Sequence, residues 1–524
     1  MGGHMSTERS IAKSAGVLGG LMLISRVLGF ARDVLIAQFF GTTMAAEAFV
    51  VSFKLPNLFR DLVGEGAMNS AIVPVLSEVK TKQGLGEFWK LAQVLLFWFI
   101  GILTMLTVLG VVFAPWVIRL IAPGFSADPD KFALTVELTR LIYPFIFLVG
   151  LWALMMGVLN TIRNFGSSAI GSSLLNMSMI MALIFATEQY GIHGLAIGIL
   201  VGGVAQCLVQ CISLATVKIQ FTKPRLWHPG LGKVLKLLGP RIWGTAVYQI
   251  SVFIDTILAS FSWIVGDGGN AALYYASRLF QLPLAIFGVS LAQAALPTLS
   301  DLNAQDDREA FCQSLRFAFK NTVFTSAPAM VGLAVLAEPI VTILFKRNAF
   351  DAYSTQVTSS ALLFYSFGLV SCSVIKVFVN GFYALHDTKT PVKTATISLV
   401  ANLILNIAFM WKLKIGGLAL ATSIAATLNV IILGWVLHKR VGLFNVKGIW
   451  LSVFKSMFAA VIMAVFAIFV CKPWIVKCLN TSFTQSIWSL SVSVIVSAII
   501  YYLSALALRS HEAKSLNNFI TRRL

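Results

Sequence analysis

Long apolar runs alternate with short polar segments along the whole chain. A helix needs about 20 apolar residues to cross the roughly 30 Å hydrocarbon core of a bilayer. On that basis the sequence predicts an all-α polytopic membrane protein with about fourteen spans. We place them near residues 12–40, 44–79, 88–121, 131–163, 168–188, 193–217, 233–265, 270–304, 310–345, 354–386, 391–411, 416–438, 448–471 and 484–508. An even number of spans puts both chain ends on one side of the membrane.

Basic residues are unevenly divided between the two sets of loops. About 23 lie on the side shared by the termini, for example Lys80 and Arg440, and about 8 on the other, among them Arg119 and Lys131. Loops that remain in the cytoplasm carry the excess of Lys and Arg. We therefore predict that both termini are cytoplasmic.

Composition supports a membrane protein and argues against a nucleic-acid-binding one. The chain has 524 residues, of which 58% are hydrophobic and 12% charged, whereas soluble domains carry about 25% charged residues. The net charge of +19 is scattered over short loops and not collected in a basic domain. Membrane lipids are thus the expected surroundings, with no nucleic-acid partner. Residues 1–4, which precede Met5, are interpreted as a cloning remnant.

The chain contains an internal repeat. Segment 192–198 (Ile-His-Gly-Leu-Ala-Ile-Gly) is echoed by segment 415–421 (Ile-Gly-Gly-Leu-Ala-Leu-Ala), and Pro56 and its surroundings are echoed around Pro283. Six predicted spans separate equivalent positions, so both copies cross the membrane in the same direction. Such a parallel repeat predicts two six-helix lobes with the substrate bound between them.

The repeat also suggests the domain boundaries. The first lobe is predicted at residues 5–222 and the second at 223–442. Residues 443–524 lie outside the duplication and are predicted to form two additional helices and a cytoplasmic tail.

Three arginines, Arg26, Arg32 and Arg60, fall within the first two predicted spans. A central Arg costs roughly 2.5–3.5 kcal/mol on insertion scales, so such residues usually face a partner or a water-filled cavity. The runs contain neither a Walker A motif nor a His-Glu-x-x-His motif. This pattern favours a path or chamber for an anion over an enzyme, and no enzymatic activity is expected.

The second predicted span carries helix-breaking residues beside charged ones. Pro56 removes a backbone hydrogen bond from a helix, and a glycine-rich segment follows it at 64–66 (Gly-Glu-Gly). Irregular backbone is tolerated at membrane depth where it is buried in protein or lines a cavity. Lys54, Arg60 and Glu65 favour a cavity, while ordinary proline kinking is the alternative.

Several motifs carry a resemblance to a known family. They are 25–33 (Ser-Arg-Val-Leu-Gly-Phe-Ala-Arg-Asp), 53–60 (Phe-Lys-Leu-Pro-Asn-Leu-Phe-Arg), 64–67 (Gly-Glu-Gly-Ala), 274–279 (Tyr-Tyr-Ala-Ser-Arg-Leu) and 389–391 (Lys-Thr-Pro). With these motifs the chain resembles the MurJ (MviN) lipid II flippase family, within the multidrug/oligosaccharidyl-lipid/polysaccharide exporter superfamily. The resemblance implies two lobes arranged as a V around a central cavity, with the two additional helices forming a hydrophobic groove.

The resemblance also implies a function. The substrate would be lipid II, an undecaprenyl-pyrophosphate-linked disaccharide-pentapeptide, moved by alternating access from the cytoplasmic to the periplasmic leaflet for peptidoglycan synthesis. Enzymes of cell-wall synthesis are candidate partners. Two alternatives are an exporter of another lipid-linked glycan and a drug/cation antiporter of the same superfamily, although an arginine-rich cavity should repel cationic drugs.

Site residues follow from the matching positions. Guanidinium groups bind phosphate oxygens bidentately, and the resemblance assigns substrate contact to Arg26, Arg32, Arg60, Arg278, Ser25 and Glu47. Arg32 could instead hold its helix through an ion pair with Asp33 or Glu47, and Ser25 could simply pack between helices. Structural or gating roles are assigned to Asp33, Lys54, Pro56, Gly64, Glu65 and Gly66.

A sodium site is the one cofactor that the resemblance suggests, and none is required. The matching positions are Asp255, Asn402, Asn406, the carbonyl of Leu418 and Thr422. Oxygen ligands suit a hard cation. The alternative is that these polar groups form hydrogen bonds between helices, as is common in membrane bundles.

Overall fold

The described part of the chain is helical. The structure is a computed structural model and describes residues 20, 23–62, 68, 71–162, 164, 166–217, 219, 226–443, 446–479 and 482–521. Among these residues there is no β-strand. The predicted all-α fold class is confirmed.

The chain divides into two compact units, Met1–Ser260 and Phe261–Leu524. This division places the helix that begins at Pro229 in the first unit, whereas the repeat suggested a boundary at 222/223. Helices of the first unit are α1 (23–40), α2 (Met44–Arg60), α3 (Val73–Val112), α4 (Ala114–Ile121), α5 (Pro129–Ile142), α6 (Pro144–Thr161), α7 (Gly166–Phe185), α8 (Thr187–Tyr190), α9 (Ile192–Ala215) and α10 (Pro229–Ala259), with a 3₁₀ turn at Pro123–Ala127.

The second unit contains the remaining helices. These are α11 (Ser262–Val265), α12 (Gly269–Pro283), α13 (Ser290–Ala304), α14 (Arg308–Val335), α15 (Ala337–Phe345), α16 (Ala352–Ser366), α17 (Leu369–Ala384), α18 (Lys389–Leu413), α19 (Ile415–Val441), α20 (Val446–Phe466), α21 (Lys472–Leu479), α22 (Phe483–Ala507) and α23 (His511–Thr521), with π-helical segments at Leu284–Val289 and Ala467–Cys471.

Helix starts follow the local sequence. The carboxylate of Asp128 accepts hydrogen bonds from the backbone N–H groups of Asp130 and Lys131, and Pro129 occupies the first turn of α5. The aspartate accepts hydrogen bonds from N–H groups that have no acceptor within the helix. Proline is favourable in the first turn because an N–H group there would have no intrahelical partner either. Asp307 and Asp351 cap α14 and α16 in the same way.

Eight helical segments of the described chain are long and apolar enough to cross a membrane, and ten if each of two bent pairs counts as one span. The predicted count of about fourteen is therefore not confirmed. Gly84 lies between the second and third predicted spans, and the backbone of α3 leaves the helical conformation there (φ 88°, ψ 177°), so two helical segments meet at a kink within Val73–Val112.

The internal repeat is present in the packing of each unit. In the first unit α2 packs on α5, α3 on α6, α6 on α9 and α7 on α9. In the second unit the corresponding pairs are α12 with α16, α14 with α17, α17 with α19 and α18 with α19. The same order of packing along the chain confirms that the two segments are structural repeats.

Equivalent turns of the repeat share an unusual backbone conformation. Gly191, before α9, has φ 53° and ψ −135°, and Lys414, before α19, has φ 52° and ψ −130°. Glycine adopts this region readily, whereas a side chain makes it strained. Three residues later the helices approach closely: a Cβ on Gly417 would lie 2.5 Å from the carbonyl oxygen of Phe409, and one on Gly194 would lie 3.0 Å from the backbone of Ala186.

Both units also contain a π-helical segment after an equivalent proline. In the first, α2 contains Pro56 and is followed by described π-helical residues at 61–62, 68 and 71–72. In the second, α12 ends at Pro283 and the π-helix Leu284–Val289 follows. Wide helical turns of this kind occur frequently at functional sites. The predicted glycine segment at Gly64, Glu65 and Gly66 lies outside the described residues.

The C-terminal helices pack against the second unit's core. The hydroxyl of Tyr501 on α22 donates a 2.7 Å hydrogen bond to the carbonyl of Phe324 on α14. The last helix, α23, is anchored through buried Glu512, whose carboxylate accepts a 2.7 Å hydrogen bond from Ser452 on α20. These contacts tie the two predicted additional helices to the repeat.

Candidate functional site

Arg32 is buried at the centre of a polar cluster in the first unit. Its side chain is 7% exposed, and its Nε and Nη2 atoms donate hydrogen bonds of 3.0 and 2.7 Å to Oδ1 of Asp33. Its Nη1 atom donates to Oδ1 of Asn176 at 2.9 Å. A buried guanidinium needs such partners because an unpaired one would retain its full desolvation cost. The geometry is the ion pair with Asp33 that the sequence left open as an alternative to substrate contact.

Asn176 connects this cluster to a residue about two turns earlier on α1. Its Nδ2 atom donates a 3.1 Å hydrogen bond to the carbonyl of Ser25. The hydroxyl of Ser25 donates in turn to Ser172 on α7 at 3.0 Å. The segment that carries the arginines is thus fastened to α7 at two points. Sequence reasoning missed Asn176, whose only signal was an amide inside an apolar run.

The other arginines assigned to substrate are more accessible than Arg32. Arg26 is exposed, as expected from its position about 240° from Arg32 around an ideal helix. Arg60 is half-buried and pairs with Asp61 at 3.2 Å. In the second unit the guanidinium of Arg278 lies 4.8 Å from the centre of the Tyr274 ring, a cation–π geometry that orients it.

Glu47 lies in the interior and pairs with Lys131. The two side chains are 2% and 8% exposed, and the ammonium of Lys131 donates to Oε2 of Glu47. The same ammonium lies 4.3 Å from the centre of the Phe125 ring. The sequence counted Lys131 among the basic residues of the non-cytoplasmic side, and the structure places it in the first turn of α5, buried against α2. Substrate contact by Glu47 stays a prediction.

Hydroxyl groups form further polar contacts between α2 and α5, beyond the pair of Glu47 and Lys131. Ser52 donates a 2.9 Å hydrogen bond to the carbonyl of Thr135 and accepts one of 2.9 Å from Thr139. All three residues are buried. Of the gating residues predicted on α2, Lys54 is half-buried and Pro56 is buried within the helix.

Four of the five residues of the predicted sodium site come together between α18 and α19. Asn406 donates to Oδ1 of Asn402 at 3.0 Å, and Asn402 donates to the hydroxyl of Thr422 at 3.2 Å. Thr422 donates to the carbonyl of Leu418 at 3.1 Å. This chain is the inter-helix hydrogen bonding that the sequence left open as an alternative. The fifth residue, Asp255, is half-buried on α10 in the first unit.

The four candidate sodium ligands in the second unit are therefore uncharged oxygen atoms. Asn402 and Asn406 are buried, and oxygen ligands of this kind suit a hard cation. No group of three or more His, Cys, Asp or Glu side chains that could hold a metal ion occurs among the described residues.

A family model and individual relatives agree on where this chain belongs. The model described as lipid II flippase MurJ matches residues 36–484. The lipid II flippase MurJ of Burkholderia cenocepacia is 35% identical over 84% of this chain and 86% of its own length. The probable lipid II flippase MurJ of Haemophilus influenzae is 33% identical over 95% of this chain and 100% of its own length.

Solved structures give the same result for the fold. A structure of lipid II flippase MurJ in an inward closed conformation matches with a TM-score of 0.78 at 29% identity, covering 95% of this chain and 99% of that one. An inward-facing multidrug resistance MATE family transporter of the MOP superfamily has a TM-score of 0.69 at 16% identity, covering 82% and 98%. At that identity the second likeness shows the fold alone.

These matches confirm the resemblance carried by the arginine and glycine motifs. They also confirm that the chain is a polytopic membrane transporter and not an enzyme, because the matching family is one of flippases. The chain belongs to the MurJ family of lipid II flippases.

Proposed function

We propose that the chain moves lipid II from the cytoplasmic to the periplasmic leaflet by alternating access. The observation that carries this proposal is the arginine set of a MurJ family member. Arg26 is exposed, and Arg60 and Arg278 are half-buried. Pyrophosphate presents several oxygens to cationic donors, and a guanidinium binds them bidentately. An anionic lipid headgroup is thus the ligand that these side chains fit.

The arginines divide into two roles. Arg26, Arg60 and Arg278 contact the pyrophosphate or the adjacent headgroup. Arg32 acts as a positioning residue, since its nitrogens bind Asp33 and Asn176 and hold the start of α1 against α7. Ser25 takes part in the same attachment through Ser172.

The undecaprenyl tail is proposed to lie along the C-terminal helices. α20 and α22 pack on each other and carry large exposed apolar side chains, including Phe454 and Trp488. Replacing a phospholipid chain by an isoprenoid chain leaves these side chains in an apolar environment, so the exchange costs them little free energy. The tail can therefore stay in the membrane while the headgroup crosses.

Irregular backbone supports the conformational part of the proposal. The wide turns after Pro56 and Pro283 occur at equivalent places in the two units. Segments of this kind can absorb φ/ψ changes without breaking long stretches of helix. We assign them to the movements that open the cavity alternately to either side.

Location, orientation and partners are further parts of the proposal. The chain is placed in the bacterial inner membrane, and the charge of its loops supports a cytoplasmic position for both termini. Reporter fusions at the C-terminus, active only in the cytoplasm or only in the periplasm, test this orientation. Cell-wall synthesis enzymes are proposed as partners, and crosslinking in cells tests that association.

Sodium binding is proposed for the oxygens of Asn402, Asn406 and Thr422 and the carbonyl of Leu418, with Asp255 as the acidic residue implied by the resemblance. Calorimetric titration of the purified protein with sodium chloride against potassium chloride tests this. A Thr422→Val variant removes one oxygen ligand and should abolish any sodium-specific heat. Equal heats from the parent and the variant would contradict the assignment.

Flipping itself is tested in bacteria depleted of their own flippase, by measuring the periplasmic exposure of lipid II at matched expression. The parent should restore exposure, and Arg26→Ala and Arg60→Ala should each lower it by about tenfold or more, since a hydrogen bond to a charged group contributes about 1.5–3 kcal/mol. Arg308→Ala is the control because Arg308 is a highly exposed residue at the start of α14.

Two results would contradict the proposal. If the folded parent left lipid II inside the cell, the substrate would be another lipid-linked glycan. If Arg308→Ala reduced exposure as strongly as Arg26→Ala, the loss would reflect general charge and not headgroup contact.

A further inference from the structure

A polar cavity lies within the second unit, and none of the arginines assigned to lipid II lines it. Its volume is about 220 Å³, and it is formed by the first half of α14 and the start of α23. At about 30 Å³ per water, it has room for a phosphate group with several waters. Arg316, Lys320 and Asn321 line it from α14, and His511 and Glu512 line it from α23.

Arg316 is held in place with donor capacity remaining. Its Nε and Nη2 atoms donate hydrogen bonds of 2.5 and 2.9 Å to the carbonyls of Leu443 and Gly442. Its Nη1 atom forms no hydrogen bond with any residue that the structure describes. The guanidinium is thus oriented by the protein without a carboxylate partner among the described residues, so its charge can serve a ligand.

Lys320 adds a second cation one helical turn further along α14. Its side chain is half-buried, and its ammonium forms no hydrogen bond or ion pair within the described ranges. Taking a lysine partly out of water costs free energy, and an anion bound to its ammonium would offset that cost. Residues four apart on a helix lie on the same face, so both cations can reach one ligand.

The one carboxylate in the cavity wall offsets only part of the charge of Arg316 and Lys320. Glu512 is buried, and its two oxygens accept 2.7 Å hydrogen bonds from Ser452 and Ser510. Burial by itself raises the pKa of Glu512, but these hydrogen bonds and the charge of Lys320 together lower it below its ordinary value. The group therefore stays ionised and is occupied in anchoring α23.

The position of the cavity in the membrane follows from the contacts of Arg316. Gly442 and Leu443 lie between two apolar spans, Ile415–Val441 and Gly448–Leu479. Arg316 is therefore located where the spans end, at the level of the lipid headgroups. Phe317, the next residue on α14, is 60% exposed, and aromatic side chains beside basic ones are typical of that boundary.

We propose that this cavity binds the phosphate of an anionic phospholipid headgroup. Basic pockets between transmembrane helices bind anionic headgroups, and charge-assisted hydrogen bonds to phosphate are stronger than neutral ones. A bound headgroup would join α14, in the repeat, to the C-terminal helix. The site does not depend on lipid II transport, and its ligand is a membrane component that remains in place.

The test is native mass spectrometry of the detergent-purified full chain, titrated with phosphatidylglycerol or with zwitterionic phosphatidylcholine. The parent should bind phosphatidylglycerol preferentially. Lys320→Gln should weaken that binding about fivefold, as expected for one basic residue near an anionic surface, and Lys320→Arg should retain it. Lys236→Gln should bind as the parent does, because Lys236 is an exposed lysine of the first unit that does not line the cavity.

Three results would overturn the proposal. The parent could bind the two lipids equally well. Lys320→Gln and Lys236→Gln could weaken binding to the same extent, which would indicate a diffuse surface charge. Inorganic phosphate at the same concentration could displace phosphatidylglycerol, which would make the site one for a small free anion.

Discussion

The buried pair of Glu47 and Lys131 allows a sharp prediction about stability. Replacing Glu47 by Leu leaves the ammonium of Lys131 in the interior without that carboxylate, and replacing Lys131 by Met leaves the carboxylate without that ammonium. Removing one partner of a buried pair costs about 3–5 kcal/mol because the remaining charge is uncompensated. Lys131→Met should cost slightly more, since it also removes the contact with the Phe125 ring, which contributes up to about 2 kcal/mol.

The double variant should behave differently from either single variant. Apolar residues of similar volume often replace a buried ion pair with little loss, or even with a gain of about 1–4 kcal/mol. The two substitutions should therefore show a coupling free energy of at least about 3 kcal/mol. The contact that couples them joins α2 to α5, one of the packing pairs that the second unit repeats.

Thermal unfolding in detergent, followed by tryptophan fluorescence, measures this effect. For a cooperative unit of about 260 residues, 1 kcal/mol corresponds to a shift in Tm of about 2 °C. Each single variant should thus lower Tm by about 6–10 °C, and the double variant should recover most of that loss. Lys236→Met, at an exposed lysine, is the control and should leave Tm unchanged within about 1 °C.

Additivity would refute the reasoning. If the double variant lost as much stability as the two single variants together, the two groups would not be coupled in the folded protein. The lipid II exposure assay then separates two roles of Glu47. A stable but inactive double variant would support the predicted substrate contact, whereas a stable and active one would show that the pair serves only to join the helices.

Further predictions concern the backbone and the last helix. Lys414→Gly should stabilise the protein by about 0.5–1 kcal/mol, because glycine relieves the strain of φ 52°; an unchanged or lower Tm would contradict this. Gly417→Ala should cost about 2 kcal/mol or more, since the new Cβ would lie 2.5 Å from the carbonyl oxygen of Phe409, while Gly448→Ala, with open space around it, should be neutral or slightly stabilising in the same Tm assay. Glu512 has a folded-state pKa below its ordinary value of 4.5, so its stabilising contribution is complete above that pH and is lost as the pH falls through the folded-state pKa. The protection of α23 against hydrogen exchange, measured relative to the intrinsic exchange rate at each pH, should therefore fall on acidification in the parent, and the Glu512→Gln variant should lack this loss.

Much of the site could be located from the sequence because the signals are local. An arginine inside an apolar run costs free energy wherever the run is placed, so Arg26, Arg32 and Arg60 were conspicuous before any packing was known. The repeat could also be recognised locally, because segments 192–198 and 415–421 have similar sequences. Each has a glycine where a neighbouring backbone segment lies very close in the structure.

Contacts between residues far apart in the chain could not be predicted from local sequence patterns. Asn176 lies 144 residues from Arg32, and Lys131 lies 84 residues from Glu47. A polar residue in an apolar run shows that a partner exists without saying which residue it is. Hydropathy measures apolar length alone, so it does not show whether the chain turns or forms a kink such as that at Gly84.

The amino-acid sequence by itself determined that the chain is a helical membrane protein, that it contains a repeat, that it carries cations suited to an anionic substrate, and that it resembles the MurJ family. Each of these follows from composition, periodicity or short motifs, which act over a few helical turns. Tertiary packing was needed to show that Arg32 and Glu47 are buried in ion pairs while Arg26 is exposed. Burial depends on which helix covers a side chain, and that is set by the summed packing of segments far apart in the chain.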